Sequence, residues 1–181
     1  LLQTIAADSP GVLYFPIFEP AGPHIVAQAL EFPRLADTIL MGGDGLLSDP
    51  FPENAGKNAI GMYLSGPHVA GAAYTEFLAK WQAKYGAPPP SGFHAHAYDA
   101  TNMLLNAITS IAVQDRDGSL HIDRQALRDY LANLRDFRGL TGNLSCTEFG
   151  DCSTGDALAI FQITAAEVND GNWPPAVFWT P

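Results

Sequence analysis

An α/β fold containing parallel strands is predicted by three features of this 181-residue sequence. A short apolar strand, Val12-Leu13-Tyr14-Phe15, is followed by a helical segment and then by a second apolar strand, Thr38-Ile39-Leu40-Met41. Further along, amphipathic helical patterns occupy most of residues 70–134. Finally, an apolar content of 47% supplies a hydrophobic core and excludes intrinsic disorder, whose signature is low hydrophobicity with high charge.

The first 45 residues are predicted to form a parallel β/α unit. The chain opens as the end of a helix that reaches Ala7, and a turn at Asp8-Ser9-Pro10-Gly11 precedes the first strand. The next helix begins near residues 20–23 and ends at Pro33, because proline cannot continue a helix. Ligands of open α/β sheets gather at the carboxyl ends of the strands. Those ends carry Phe18-Glu19 and Gly43-Asp44.

A third strand and three helices are predicted next. The strand covers residues 59–64 and ends at Ser65-Gly66-Pro67. The helices cover residues 70–85, with Gly86 as C-terminal cap, residues 94–113, and a last segment that Asp123 opens as N-cap. Each helix is expected to bury one apolar face. The residues expected on those faces are Ala70, Ala73, Tyr74, Phe77, Leu78, Trp81 and Tyr85; Ala97, Thr101, Leu104, Leu105, Ile108 and Ile111; and Leu127, Tyr130, Leu131 and Leu134.

The last 45 residues are rich in glycine and contain the two cysteines. A strand is predicted over residues 157–163, and residues 174–179 are expected to pair with it as a hairpin. Cys146 and Cys152 are too few to form a tetrahedral zinc site by themselves. A disulfide loop is favoured, worth about 2 to 3 kcal/mol, and it indicates an oxidising compartment. The alternative is a pair of free thiols in a cytosolic loop.

The charge balance restricts the partners. The net charge is −10, and no Lys or Arg follows Arg138. Because binding to a polyanion requires basic side chains, nucleic acid and anionic membrane surfaces are poor partners. No apolar run approaches the roughly 20 residues that cross a bilayer, and the first residues do not resemble a signal peptide. The charged share is only 15%, so we expect part of the surface to be covered by a missing partner.

A metal-dependent hydrolase is the enzymatic alternative. His94, His96 and Asp99 together have the composition of a catalytic zinc site. Residues two apart on a helix diverge by about 200°, however, so polar residues at a helix start are the favoured interpretation. No nucleophile elbow, phosphate-binding loop or paired catalytic carboxylate is visible. We therefore expect a protein that is not an enzyme and needs neither a metal nor a cofactor.

Four segments in order resemble the type I periplasmic binding proteins of the branched-chain amino acid (Leu/Ile/Val-binding) class. They are Leu13-Tyr-Phe-Pro-Ile-Phe-Glu-Pro20, Met41-Gly-Gly-Asp-Gly45, Ala97-Tyr-Asp-Ala100 and Phe137-Arg-Gly-Leu-Thr-Gly142, the last preceding a Gly150-Asp151 loop. The resemblance covers nearly the whole chain, but only about the second half of a family member. It implies a two-lobed fold with Rossmann-like parallel sheets, incomplete at the N-terminus.

The resemblance also implies a domain plan. Residues 1–60 would belong to lobe 2 and form a ligand wall, residues 61–67 and 137–144 would be hinge crossings, and residues 68–136 would be helices of lobe 1. Residues 145–181 would hold the disulfide loop and the terminal strands. The missing N-terminal half would supply the opposite wall. By itself, the chain is therefore expected to bind solute weakly and to self-associate through uncovered helices and strand edges.

Asp44, Phe18, Gly43 and Glu19 are the candidate ligand-binding residues. An ammonium group leaves water readily only when a carboxylate replaces its hydration, and Asp44 is the acid in the glycine-rich loop. An aromatic face such as Phe18 adds roughly 0.5 to 2 kcal/mol for a cation. The alternatives are a capping role for Asp44 and rim packing for Phe18. The family has an acid at the position of Asp44 and often Tyr at that of Phe18, while Tyr98 and Asp99 are expected to support the lobe.

The function that the resemblance implies is solute capture for an ABC uptake transporter. The solute would be an amino acid of the branched-chain type or a related small polar molecule, and the partner would be a membrane permease. The protein would be periplasmic or extracellular, with a lipid anchor as one option. The same fold also serves as the ligand-sensing domain of receptors, so that function remains the alternative.

Overall fold

Two compact units make up the chain in the computed structural model, which describes residues 1–89, 92–153 and 157–181. Unit 1 consists of Leu1–His68 and Leu158–Pro181, and unit 2 of Val69–Ala157. The helices are α1 (Leu2–Asp8), α2 (Ala21–Ala29), α3 (Phe51–Ala55), α4 (Ala72–Tyr85), α5 (His94–Ile111), α6 (Arg124–Ala132) and α7 (Ala165–Asn169). The strands are β1 (Val12–Phe15), β2 (Ile39–Gly42), β3 (Tyr63–Pro67), β4 (Val113–Gln114), β5 (Leu120–His121), β6 (Phe137–Arg138), β7 (Asn143–Cys146), β8 (Cys152–Ser153), β9 (Leu158–Gln162) and β10 (Val177–Trp179).

Unit 1 is built on a five-stranded sheet with the order β1-β2-β3-β9-β10. The strands β1, β2 and β3 are parallel, with Tyr14 opposite Met41 and Met41 opposite Tyr63. The strands β9 and β10 continue the sheet in antiparallel pairing. The predicted α/β class, with a parallel β/α unit at the start of the chain, is confirmed.

One face of this sheet carries the core of unit 1. Residues on alternate positions of the strands turn to the same side, so Phe15, Leu64 and Phe161 meet there. The helices α2 and α3 contribute Val26 and Phe51 to the same cluster, and neither side chain is exposed to solvent. The core is apolar, as expected for a sheet packed against helices.

The other face of the sheet is only partly covered within the described residues. Tyr14 and Ile39 are about half exposed, and so is Phe178 of β10, whose ring meets that of Tyr63 at 5.0 Å. The amide of Gln162 donates to the Tyr63 hydroxyl at 3.0 Å. Apolar residues in contact with water over several adjacent strands form a surface suited to a further packing partner.

The third strand begins later than predicted. The sequence indicated a strand over residues 59–64, but Gly56–Ala59 form a 3₁₀ turn and β3 starts at Tyr63. The cause is Gly61, whose φ of 91° lies in the left-handed region that only glycine adopts at little cost. Its N–H donates to the carbonyl of Ile163 at 2.8 Å, so the turn is tied to the end of β9.

The terminal strands pair as predicted, but a helix separates them. The strand β10 lies antiparallel to β9, with Val177 opposite Phe161. Between them, α7 begins with a capping box in which the Thr164 hydroxyl accepts from the N–H of Ala166 and the Glu167 carboxylate accepts from Thr164. Glu167 is 5% exposed. Burial alone would raise its pKa, but the hydrogen bonds from Thr164, together with those from the backbone of Glu167 and Ala176, outweigh it and lower the pKa below the usual value.

Unit 2 combines helices with short strand pairs. The strands β4 and β5 form one antiparallel pair, and β6, β7 and β8 form a three-stranded sheet. The helices α5 and α6 contact each other, and a small cluster of Met103, Leu144 and Cys146 lies under Leu131 and Phe137. The predicted N-cap of α6 is confirmed, because the Asp123 carboxylate accepts from the N–H of Ala126 at 2.7 Å.

The predicted core faces of the three helices in unit 2 are wrong in part. Neither α4 nor α6 buries a residue fully. The helix α5 buries Ala95, Asp99, Met103 and Ala107 rather than the face containing Leu104 and Leu105, which are half exposed. Small residues let neighbouring segments approach the helix closely, and here they decide which face is covered. Leu104 and Leu105 lack a covering element in the described part of the chain.

The predicted disulfide between Cys146 and Cys152 is confirmed. The two residues lie opposite each other on β7 and β8, with their Cα atoms 3.9 Å apart. The loop between them carries Phe149, whose side chain is 89% exposed. Among the described residues, no helix combines the length and apolar character needed to cross a bilayer.

Candidate functional site

Phe18 lies against the glycine-rich loop that follows β2. A Cβ placed on Gly45 would lie 2.6 Å from Cδ1 of Phe18 and 2.9 Å from the carbonyl oxygen of Ile17. These distances mean that the aromatic ring rests on the bare backbone of Gly45. Since β1 and β2 are parallel neighbours, the segments that follow their carboxyl ends meet at one edge of the sheet.

Asp44 stands beside this contact and is exposed to solvent. It opens the 3₁₀ turn Asp44–Leu46, directly before Gly45. A Cβ on Gly66, near the end of β3, would lie 3.5 Å from the Cβ of Asp44. The acid therefore sits over the carboxyl ends of β2 and β3, one residue from the Phe18 contact. Gly43, directly before it, is buried.

Phe18 leaves most of its ring open to a ligand. Its side chain is 71% exposed although one edge rests on Gly45. An aromatic ring that is held on one side and open on the other offers a face for stacking or for a cation. The structure therefore brings Phe18, Gly43 and Asp44 together at the same edge of the unit 1 sheet.

Glu19 turns toward α3. The amide of Asn54 donates to Oε2 of Glu19 at 3.3 Å. The other carboxylate oxygen, Oε1, is buried and accepts no hydrogen bond from the described residues. This arrangement ties the segment after β1 to α3, and no signal in the sequence paired Glu19 with Asn54.

Asp99 is a buried acid of unit 2 whose carboxylate accepts three hydrogen bonds. It is 2% exposed, and its carboxylate accepts from the N–H of Leu140 and from the N–H and hydroxyl of Thr141, each at 2.8 Å. The backbone of Gly139 packs on the same carboxylate so closely that any side chain there would collide with it. The supporting role expected for Asp99 agrees with these contacts.

In the described part of the chain, His94, His96 and Asp99 do not come together as the metal site of the hydrolase alternative. The carboxylate of Asp99 is occupied by the loop at residues 140–141, and His94 shares a hydrogen bond of 2.9 Å with the Tyr74 hydroxyl. The Nδ1 atom of His96 is buried, and desolvation lowers the pKa of this imidazole although the charge of Asp99 opposes the shift. No group of three or more potential ligands comes together within residues 1–89, 92–153 and 157–181.

The family is decided by the match of a sequence profile to nearly the whole chain. The profile of a family described as periplasmic binding protein matches residues 1–172. This chain belongs to the periplasmic binding protein family. A search of curated proteins returned no match.

Solved structures share the periplasmic binding protein fold with this chain. A leucine-binding protein from Thermotoga maritima has a TM-score of 0.69 at 24% identity over 91% of this chain and 44% of that one. An extracellular ligand-binding receptor from Rhodopseudomonas palustris has a TM-score of 0.64 at 19% identity, over 91% of this chain and 48% of that one. A solute-binding protein of an ABC transporter from R. palustris, in complex with benzoate, has a TM-score of 0.63 at 16% identity, over 99% and 45%.

The chain spans a little under half the length of these structures. At such identities the similarity concerns the fold, a type I periplasmic binding protein fold, and not the ligand. Sequence reasoning named Phe18, Gly43, Asp44 and the open backbone of Gly45 but missed Gly66 as a contact of the site. The glycine itself was the available signal at Gly66, since glycine near a strand end often marks a close approach.

Proposed function

We propose that this chain forms one wall of the binding cleft of a solute-binding protein that serves an ABC uptake transporter. The solute is an amino acid, of the branched-chain type or related to it, or another small polar molecule. The observation that carries the proposal is the contact of Phe18 with Gly45 next to the exposed carboxylate of Asp44. The family match and the fold support the general role of solute binding.

The chemistry of this edge suits a small cation or zwitterion. A carboxylate replaces the water that an ammonium group loses on binding, and charge-assisted hydrogen bonds of this kind contribute about 1.5 to 3 kcal/mol. The open face of Phe18 shields that ion pair from solvent and adds cation–π attraction. Gly43 and Gly45 keep the loop backbone free of side chains, so a ligand can approach it closely.

In the proposed mechanism the solute bridges two lobes. Contacts to both walls stabilise the closed state, because a ligand shifts a conformational equilibrium by its difference in affinity for the two states. The opposite wall comes from residues outside this chain. A membrane permease then recognises the closed form, either in the periplasm or at the cell surface, with a lipid anchor as one means of tethering.

Isothermal titration calorimetry with a panel of amino acids tests the proposal. The titrations use the longest natural polypeptide that contains this chain, with Asp44→Asn compared against Asp37→Asn, an exposed acid before the amino end of β2. We expect Asp44→Asn to weaken binding by about tenfold to a hundredfold, because a charged hydrogen bond is lost. Asp37→Asn should leave the affinity unchanged. Equal affinity in both variants would remove Asp44 from the site.

A ligand-sensing domain of a receptor is the second candidate function. It is favoured by the similarity in fold to an extracellular ligand-binding receptor. The two functions differ in what the solute-bound form recognises. Solute uptake by cells that depends on the protein supports transport, whereas a signalling output that responds to the solute without uptake supports sensing.

A further inference from the structure

A polar groove lies in unit 2, within a segment to which the proposed function assigns no ligand. Its volume is about 470 Å³, and it is lined by Asp136, Arg138, Gly139, Gly142 and Asn143. This volume falls within the range of about 300 to 1,000 Å³ that is common for small-molecule sites. All of its lining residues belong to unit 2.

Asp136, Arg138 and Asn143 present their side chains to the same groove. Successive side chains of a strand point to opposite faces, and Phe137 points into the cluster under α5 and α6. Arg138, the next residue of β6, therefore faces away from that cluster. Asp136 precedes the strand, and the hydrogen bond that its carboxylate accepts from the amide of Asn143 brings it to the same side. Asn143 pairs with Arg138 across the two strands and shares its face. These three polar side chains line the groove together.

Contacts within the chain fix the position of Asp136 without a ligand. The amide of Asn143 donates to Oδ1 of Asp136 at 3.0 Å, and the N–H of Asp136 donates to the Ser145 hydroxyl at 3.1 Å. Asp136 has a φ of 55°, in the left-handed region that Asp and Asn tolerate better than most residues. The orientation of its carboxylate is thus set by both backbone and side-chain contacts.

Arg138, the positively charged residue of the groove, has no partner in the described part of the chain. The guanidinium of Arg138 forms neither an ion pair nor a hydrogen bond there, and it does not pair with Asp136 although both line the groove. The floor consists of Gly139 and Gly142, whose backbones are joined by a hydrogen bond of 2.9 Å. Behind the floor, the buried carboxylate of Asp99 fixes the intervening residues 140–141.

We propose that this groove binds a small zwitterion, whose carboxylate meets the guanidinium of Arg138 and whose ammonium group meets the carboxylate of Asp136. A guanidinium presents a fork of N–H donors that matches a carboxylate in two places. The fixed acid accepts from the ammonium group without further ordering, which reduces the entropic cost of binding. The ligand class is therefore a small amino acid, which carries both charged groups in one molecule.

Nuclear magnetic resonance on the ¹⁵N-labelled 181-residue chain tests this proposal, with the Asp44→Ala substitution present so that the unit 1 site does not contribute. The probes are glycine, β-alanine and γ-aminobutyrate, compared with acetate and methylammonium, which carry one charge each. We expect saturable shifts of the Arg138 Nε–H and Asn143 side-chain amide signals with at least one zwitterion. Its dissociation constant should be at least tenfold lower than that of either single-charge probe.

Three variants decide the assignment. Arg138→Gln and Asp136→Asn should each weaken zwitterion binding at least tenfold, whereas Arg128→Gln, an exposed arginine of α6, should leave it unchanged. A retained dispersion of the other amide signals shows that each variant is folded. Equal binding of acetate and the zwitterions, binding that survives both groove substitutions, or no saturable shift with any probe would overturn the proposal. Because Asp44 is absent throughout, failure of the unit 1 site would not change these outcomes.

Discussion

The carboxylate of Asp99 accepts hydrogen bonds from both the N–H and the hydroxyl of Thr141, each at 2.8 Å. The two residues lie 42 positions apart, so this contact fastens α5 to the loop between β6 and β7. A carboxylate that is removed from water is stable only when donors replace its hydration, and Leu140 and Thr141 supply them. The loop that forms the floor of the unit 2 groove therefore depends on a helix residue.

Replacement of Asp99 should destabilise unit 2. Asp99→Asn keeps the shape but turns one acceptor into a donor that faces N–H groups, so we expect a loss of about 2 to 4 kcal/mol in the free energy of unfolding. Urea denaturation measures this loss, and hydrogen exchange at the Leu140 and Thr141 amides localises it. Thr101→Val, which removes an exposed hydroxyl of the same helix, should change stability little. A similar loss in both variants would contradict the assigned role of Asp99.

Reduction of the Cys146–Cys152 disulfide should lower the stability of unit 2. The closed loop is short, and the chain-entropy relation gives about 2 kcal/mol for such a loop. Differential scanning calorimetry with and without a thiol reductant measures the effect as a lower Tm. The double substitution of Cys146 and Cys152 by Ser should show the lower Tm in both conditions. A Tm that is insensitive to reductant in the natural sequence would refute the prediction.

A side chain at Gly45 should disturb the candidate site without removing any of its functional groups. Gly45→Ala places a Cβ against the ring of Phe18 and the carbonyl of Ile17, so one of them has to move. We expect solute affinity, measured by calorimetry, to fall at least threefold. Gly11→Ala is the matched control, because a Cβ there meets no atom within 4 Å. If both variants bind the solute as tightly as the natural sequence does, the contact between Phe18 and Gly45 is not required for solute binding.

The Glu167 cap should make unit 1 sensitive to acid. Its pKa is lower in the folded chain than the ordinary value of 4.5, so below about 4.5 the unfolded state binds more protons. The contribution of Glu167 to stability is complete above that pH and is lost as the pH falls toward the lowered pKa. Urea denaturation measured from about pH 6 down to about pH 3 covers the range in which a hydrogen-bonded carboxylate is protonated. Over that range, Glu167→Gln should make the free energy of unfolding depend less on pH. An unchanged profile would exclude this contribution.

Exposed apolar surface should drive self-association of the 181-residue chain. Tyr14 and Ile39 occupy the partly covered face of the unit 1 sheet, and Leu104 and Leu105 the uncovered face of α5. We expect light scattering to show a molar mass that rises with concentration, because contiguous exposed apolar residues favour association. Ile39→Lys with Leu105→Lys should reduce that rise, and Asp37→Asn should not. A monomer at all concentrations would contradict the prediction.

Much of the fold could be predicted because it depends on local patterns. The apolar run at Val12–Phe15 and Pro20 at the start of α2 act within a few residues of the chain. The end of α2 was predicted less well, because the helix stops at Ala29 and Pro33 opens a separate 3₁₀ turn. The capping box of Thr164 and Glu167, three residues apart, was equally visible, yet α7 was not predicted. The buried face of α5 was predicted wrongly because the pattern shows where apolar residues recur, whereas packing of small residues such as Ala95 and Ala107 selects the covered side.

The sequence by itself determined the α/β class and the proximity of Phe18 and Asp44 at the strand ends, because both follow from short-range periodicity or from the rules of parallel sheets. It also indicated the family, through a resemblance carried by four ordered motifs, and the disulfide, because Cys146 and Cys152 are its two cysteines and lie close together in the chain. Only the tertiary structure decided that Phe18 rests on Gly45, that Glu19 turns to Asn54, and that Asp99 holds the loop at residues 140–141. These contacts join residues that are tens of positions apart, and their pairing depends on how whole elements pack together. The pairing of buried polar groups is set by that packing, since each must find a donor or acceptor where the fold places one.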